Sequence, residues 1–260
     1  MEKREKIAIV TGASSGLGRE LALLLDQESD LDEIVLCARR KNRLEELAKD
    51  LRHRTRVLAG DITEESFYEK LEAYLVGSGE TQKEITYLVN SAGLGQLGSF
   101  QEIGLAGNLA MVDLNIKALT VLCFRCLPFM RKGGKILNIA SVAAFLPQAN
   151  FAVYAASKAY VLSFSRALNQ DLKKRGITVT AVCPNPMETE FFDLTGDVDK
   201  ARKIKNLGLE EVDQVAKLAL KRAKQGRDIS VLSFPAKLIR LAARIFPHNF
   251  ILWFESKIGL

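Results

Sequence analysis

Nowhere does this sequence hold eighteen consecutive apolar residues, and its richest stretch, Ile116 to Met130, is broken by Lys117 and Arg125, so no membrane-spanning helix is expected. Metal ligands are scarce. The two histidines, His53 and His248, lie far apart, and Cys123 with Cys126 makes a lone C-x-x-C, two ligands short of a zinc site. No metal is expected. The four cysteines (Cys37, Cys123, Cys126 and Cys183) sit among apolar neighbours, which suits buried reduced thiols better than a disulfide framework. The charged segment Met1 to Lys6 leads directly into Ile7 to Val10, a run too short for the core of a secretory signal, and a cytoplasmic protein is expected.

What is present is ordinary in amount and informative in order. A hydrophobic content of 48% over 260 residues excludes disordered and collagen-like classes and suffices for a sizeable core. Basic residues outnumber acidic ones, 37 to 31, but the excess is not gathered into a run with interleaved aromatics, so nucleic-acid binding is not expected. Its clearest cluster is Arg39-Arg40-Lys41.

Short β-branched runs at Lys6–Val10, Glu33–Cys37, Arg56–Leu58, Ile85–Asn90, Lys135–Ile139, Ile177–Val182 and Ile229–Leu232 alternate with segments of helical period. Strands this apolar are buried on both faces, and strand-helix-strand succession makes parallel crossovers. The pattern predicts an α/β fold, a doubly wound, mainly parallel seven-stranded sheet with helices on both faces. One domain over 1–260 is expected. Two segments break the rhythm: a loop insertion at about 185–209, with Phe191-Phe192, and an amphipathic tail at about 235–260.

The first strand runs into Thr11-Gly12-Ala13-Ser14-Ser15-Gly16-Leu17-Gly18, and a helical pattern with Leu21, Leu24 and Leu25 follows at once. A glycine turn at that point aims unpaired helix N–H groups and the positive dipole end at a pyrophosphate, and lets it approach the backbone closely. This is the start of a Rossmann-type nucleotide site.

The spacing T-G-x-x-x-G-x-G resembles the short-chain dehydrogenase/reductase family. Further matches follow in order along nearly the whole chain: Asp61, Asn90-Ser91-Ala92-Gly93, Asn115, Ser141, Tyr154 with Lys158, and Pro184 to Thr189. The resemblance implies that Gly12, Ser14, Ser15, Gly16, Leu17 and Gly18 hold a dinucleotide diphosphate. It implies too that Asp61 and Ile62 meet the adenine, that Asn90, Ala92 and Gly93 line the adenosine half, and that Pro184 and Thr189 border the nicotinamide. A homodimer or homotetramer is likewise implied. The chain departs from the family pattern at Ser91, where asparagine is frequent, and at Asn185, where glycine is frequent.

Enzymes preferring NAD place an acid at the end of the second strand, against the ribose hydroxyls. By resemblance Ala38 takes that position here, and Arg39 and Arg40 beside it offer planar forks for a 2′-phosphate, Arg39 foremost. NADP(H) is the expected cofactor.

Tyr154 and Lys158 stand four residues apart, one helical turn, with Ala155 and Ala156 leaving room beside them. A tyrosine of pKa about 10 donates a proton readily to a developing alkoxide. A nearby ammonium lowers that pKa and burial raises it; the resemblance implies that the ammonium prevails. It also implies that Lys158 holds the nicotinamide ribose, that Ser141 hydrogen-bonds the substrate oxygen, and that Asn115 positions a water linking Lys158 to solvent. The expected reaction interconverts a carbonyl and a secondary alcohol.

Leu94, Gln96, Val142, Gln148, Phe151, Met187, Phe191 and Phe192 are the candidate pocket residues, mostly apolar, and point to an apolar ketone, aldehyde or acyl chain as the small-molecule substrate. In the tail, Lys237, Arg240 and Arg244 recur at helical spacing beside Leu238, Ile239, Leu241 and Ile245. Docking onto the body or a neighbouring subunit is the expected use; peripheral membrane contact is the other. A non-catalytic NADP(H)-binding regulator or a membrane-associated adaptor is the alternative to an enzyme, against which the full set of reacting side chains weighs. The T-G-x-x-G-x-x-G spacing of nucleotide-sugar epimerases is absent, as is the wider tyrosine-lysine spacing of enoyl reductases.

Overall fold

Along β1 (Arg4–Thr11), Ile7 and Ile9 face one way and Ala8 and Val10 the other, all fully buried, so this strand has to be covered on both sides. A computed structural model, describing residues 4–77, 82–190, 209–247 and 249, shows how. β1 joins β2 (Glu33–Ala38), β3 (Arg54–Ala59), β4 (Gln82–Asn90), β5 (Met130–Ile139), β6 (Thr178–Val182) and β7 (Ile229–Ser230) in one sheet of order β3-β2-β1-β4-β5-β6-β7. Every pairing is parallel, as the succession of elements predicts. β7 is shorter than its sequence suggests, ending at Ser230.

Two apolar layers sandwich the sheet. On the side of Ala8 and Val10 pack α1 (Gly16–Leu25), α2 (Lys41–Asp50) and α7 (Val212–Lys224), through Leu21, Leu44 and Ala216 among others. The side of Ile7 and Ile9 is covered by α3 (Glu65–Val76), α5 (Leu119–Cys126) and α6 (Ala152–Leu172), with Phe67, Leu122 and Val161 in contact. All four cysteines are free and buried, and burial alone pushes the Cys37 thiol up to about 12, far from a reactive thiolate.

The chain reverses its direction of winding between β1 and β4, which lie side by side at the centre. Loops leaving the carboxyl ends of two such strands diverge to opposite faces and open a crevice, the usual ligand position in this architecture. Thr11 closes its floor: its hydroxyl accepts from the amides of Ser91 (3.1 Å) and Ala92 (3.2 Å) and donates to the carbonyl of Val89. At the other end of the sheet Glu33, only 2% exposed, is held by Lys83, Arg54 and the Tyr74 hydroxyl, so the charged residues buried there serve the fold.

A helix α4 (Phe100–Val112), capped reciprocally by Ser99 and Glu102 and kinked at Gly104, runs through a π-helical stretch, Asp113–Ala118, into α5. Asn115 sits in that π-helical stretch; such bulges widen a turn and occur often at functional sites.

Of the expected insertion at 185–209, residues 191–208 lie outside the described residues, Phe191 and Phe192 among them; so do 248 and 250–260 of the tail. The flanks of the insertion are joined by Glu210, 5% exposed, whose carboxylate accepts from the amides of Asn185 (3.0 Å) and Ser233 (2.9 Å), while its own amide donates to Pro186. Ser233 caps α8 (Phe234–Ile245). One carboxylate thus ties the end of β6, the close of the insertion and the start of the last described helix. Replacing it as Glu210→Ala removes two charge-assisted hydrogen bonds and should cost about 3 kcal/mol of stability in urea unfolding, with Glu210→Gln losing visibly less.

Candidate active site

The opening helix arrives with donors to spare. Its N-cap, Ser15, makes no side-chain capping bond, so the first-turn amides of α1 face the crevice unsatisfied. Gly12 takes a left-handed φ of 66°, and a Cβ there would lie 2.8 Å from the Ala92 nitrogen; a Cβ on Gly18 would come within 2.4 Å of the Gly12 carbonyl oxygen. Any side chain at either position would break the contact between the two loops or part the helix from the strand. A cleft of about 520 Å³ lies alongside, lined by Ser14, Ser15, Gly16, Arg19, Arg43 and Thr189 among others. It lies at the glycine-loop end of the crevice; Tyr154 is not on its wall.

Other expected cofactor residues meet that crevice unequally. Leu17 and Ile62 bury their side chains in the two core layers, which leaves only their backbones for a ligand. The Asn90 amide group is directed into the protein, donating to Asn138 (2.8 Å) and Cys123. Asp61 accepts from the amide and hydroxyl of Thr63. Gly93 lies beside both Asn115 and Lys158, a Cβ there standing 3.4 Å from each. Pro184 is buried, its carbonyl bonded to the Val142 amide, and the Thr189 methyl packs beside Gly16.

The arginines divide. Arg39, the foremost candidate anchor, is exposed, with no ion pair or hydrogen bond among the described residues. Arg40 instead reaches the phosphate loop, bonding the hydroxyls of Ser14 (3.0 Å) and Ser15 (2.9 Å), and places its other nitrogen 2.7 Å from Glu190. Arg43, from the first turn of α2, also grips Glu190. The two guanidiniums hold the Glu190 carboxyl down at about 2, so an anion is already seated beside the loop.

Ser141, Tyr154 and Lys158 come together at the carboxyl end of β5. Ser141 leaves that strand and caps a single 3-10 turn, Val142–Phe145; its hydroxyl is hydrogen-bonded to Tyr154. Lys158, one turn along α6, is 5% exposed and donates to the Ile139 carbonyl at 2.9 Å, its nitrogen 5.6 Å from the Tyr154 ring centre. Phe151 stacks on Tyr154 with centroids 4.2 Å apart and removes that ring from water. Asn115 is 1% exposed, and its side chain accepts from the Leu94 amide and donates to the Leu94 carbonyl and Ser157. It fixes the loop after β4 against α6. Leu94, Gln96, Val142, Gln148 and Met187 are all part-buried; of these, Leu94 packs against the cluster that holds Tyr154 and Phe151, and Val142 directly follows Ser141.

The charge balance corrects the sequence expectation. Burial pushes the Tyr154 phenol up to about 12, partly opposed by the Ser141 hydrogen bond, and pulls Lys158 down to about 8. Desolvation prevails because the stacked Phe151 and the sheet exclude the water that would stabilise either charge. At neutral pH the pair is a phenol and an ammonium.

A family model described as short chain dehydrogenase matches residues 6–199, a span that contains the glycine loop, Ser141, Tyr154 and Lys158. The chain belongs to that family. As a short-chain dehydrogenase it is an oxidoreductase. An uncharacterised oxidoreductase of Staphylococcus epidermidis is 33% identical over 204 residues, covering 77% of this chain and 86% of the relative. Sulfoacetaldehyde reductase 2 of Chromohalobacter salexigens is 36% identical over 191 residues, 71% of this chain and 74% of that protein. A short-chain dehydrogenase of Sphingobium yanoikuyae, solved in complex with NADPH, superposes with a TM-score of 0.77 at 30% identity, covering 92% and 93% of the two chains.

Within this short-chain dehydrogenase, Thr11, Arg43, Glu190 and Glu210 escaped the sequence reading as parts of the site. Arg43 carried a usable signal, three residues beyond Arg40 and so on the same helical face. The others show only once distant segments meet.

The depressed Lys158 pKa makes a signed prediction. The unfolded chain binds the extra proton between about pH 8 and the ordinary lysine value of 10.5, so the cost of burying this ammonium is full below pH 8 and fades towards 10.5. Lys158→Met should therefore raise unfolding stability at pH 7, by up to about 3 kcal/mol, and lose that advantage by about pH 10, as read in denaturant melts at the two pH values.

Proposed function

We propose that the chain interconverts a carbonyl compound and its secondary alcohol with NADP(H), Tyr154 being the proton donor. The observation that carries this reading is the meeting of Ser141, Tyr154 and Lys158 at the sheet's carboxyl end, beside a glycine loop in which a Cβ on Gly12 or Gly18 would fill the space. The backbone amides from Ser14 to Gly18 would hold the diphosphate, with Asp61, Ile62 and the loop from Asn90 to Gly93 along the adenosine half, and Pro184 and Thr189 beside the nicotinamide. When bound, NADP(H) supplies the hydride exchanged with the carbonyl carbon.

The chain's own residues do the rest. Ser141 orients the substrate oxygen by a hydrogen bond, and Tyr154, whose phenol burial keeps protonated at neutral pH, donates its proton to that oxygen as negative charge develops there. The Lys158 ammonium stabilises the phenolate left behind. Asn115, which clamps the Leu94 segment to Ser157 on α6, would position the water that links Lys158 to solvent. Apolar Leu94, Val142 and Met187, with Gln148, favour an uncharged and largely apolar carbonyl substrate. Exposed Leu105, Leu109 and Val112, at one-turn spacing along α4, together with Phe124 on α5, support a homodimer or homotetramer.

NADP(H) over NAD(H) is supported by Ala38 in place of an acid and by the anion that Arg40 and Arg43 already hold. In this reading Glu190 occupies part of the 2′-phosphate's surroundings and yields to it, while Arg39, on the exposed side, swings in as the second fork.

Tyr154→Phe should lower NADPH-dependent reduction of ketones by about a hundredfold or more while leaving NADPH binding, read by cofactor fluorescence, near the parent value. Retained turnover would end the assignment. Arg39→Asp and Arg40→Ala should each weaken NADPH far more than NADH, whereas Glu190→Gln should tighten NADPH severalfold and leave NADH unchanged; equal effects on both nucleotides would place the 2′-phosphate elsewhere.

A further inference from the structure

The last described helix exposes the wrong side for a helix that only completes a core. In α8, Phe234, Leu238, Leu241 and Ile245 recur at one-turn intervals and fall within an arc of about 60°. They are 70%, 48%, 53% and 64% exposed. The side turned to the body carries fully buried Ala236 with half-buried Ile239 and Ala243, so four of the five large apolar groups of the helix point to solvent. Lys237 and Arg244 flank the stripe, both exposed, with half-buried Arg240 below them, and no acidic residue occurs from Phe234 to Pro247.

We propose that α8 lies on an anionic lipid surface, with its apolar stripe sunk into the boundary between headgroups and acyl chains and Lys237 and Arg244 at the phosphate level. Docking onto the chain's own body, one of the two uses expected from sequence beside a neighbouring subunit, is met by the opposite side of the helix, Ala236, Ile239 and Ala243. Pairing with a second copy through the same stripe would set the three basic side chains of one helix against the same three of the other, with no carboxylate on either to compensate. A bilayer rich in acidic lipid offers both an apolar interior and the complementary charge, the combination that amphipathic, basic, surface-lying helices use. The chain's formal charge of +6 acts in the same direction.

The position matters for function. α8 packs on the Val142–Phe145 turn that begins at Ser141, and its first residue follows the Ser233 cap held by Glu210. A bilayer under α8 would thus lie beside the reacting group, and an apolar carbonyl dissolved in it would reach Tyr154 with little exposure to water. This last step rests on the proposed function; lipid binding itself does not.

The test is co-sedimentation of the full chain with vesicles of phosphatidylcholine alone or with 30 mol% phosphatidylglycerol, at about 0.1 M salt. The expected result is binding to the acidic vesicles only. Leu238→Asp with Leu241→Asp should abolish it, and Lys237→Glu with Arg244→Glu should weaken it about tenfold or more, since each basic side chain near an acidic surface contributes severalfold. Melting temperature and NADPH fluorescence of both double variants report whether the fold and cofactor site survive, so loss of turnover and loss of lipid binding are read separately. Absence of binding to acidic vesicles, equal binding to neutral ones, or unchanged binding by folded variants would overturn the proposal. So would an oligomer that the aspartate variant dissociates while vesicle binding persists, which would give the stripe to a second copy.

Discussion

Two strand ends that leave the sheet in opposite directions are held together by one hydroxyl. The Thr11 side chain receives the amides of Ser91 and Ala92, and Gly12 beside it has no Cβ to keep that loop away. Because β1 and β4 are central and diverge at this point, this contact sets the floor of the crevice, the direction in which α1 starts and the height at which Gly93 meets Lys158. A looser junction would leave a sheet of the same topology whose opening helix no longer aimed its free amides into the cleft.

From that floor the site is built upward by contacts both far apart and close in sequence. Asn115 bridges Leu94 and Ser157, and Phe151 shields Tyr154. The result is a phenol and an ammonium kept dry together, each shifted by burial away from its charged form. Such a pair is expensive for the fold and suited to proton delivery, the usual relation between stability and reactivity at an enzyme centre. Charge elsewhere is treated differently: around Glu33 every buried ion is matched, and nothing there is left poised to react.

Glu210 and Glu190 show how segments on either side of the 191–208 stretch are tied to the body by carboxylates with opposite characters. Glu210 is buried and bonded to backbone amides, a fixed staple; Glu190 is exposed and bonded to guanidiniums, so another anion can compete for its place. The first anchors the start of α8 beside the Ser141 turn, and the second puts the glycine-loop end of the cleft in contact with the start of the insertion.

What the sequence determined by itself is whatever depends on local spacing. Alternating β-branched runs named all seven strands because buried parallel strands need apolar residues on both faces. The glycine spacing marked the strand-to-helix turn, and four residues between Tyr154 and Lys158 put both on one helix face. Tertiary structure alone decided what depends on which distant segments meet. The direction of the Tyr154 shift required knowing that Leu97 and Met111 cluster with it and bury it, and the different fates of Arg39 and Arg40 turned on the position of Glu190, some 150 residues away. The outward face of α8 was likewise undetermined in one dimension, since amphipathic periodicity states that a helix has two sides and only packing selects the side that meets water.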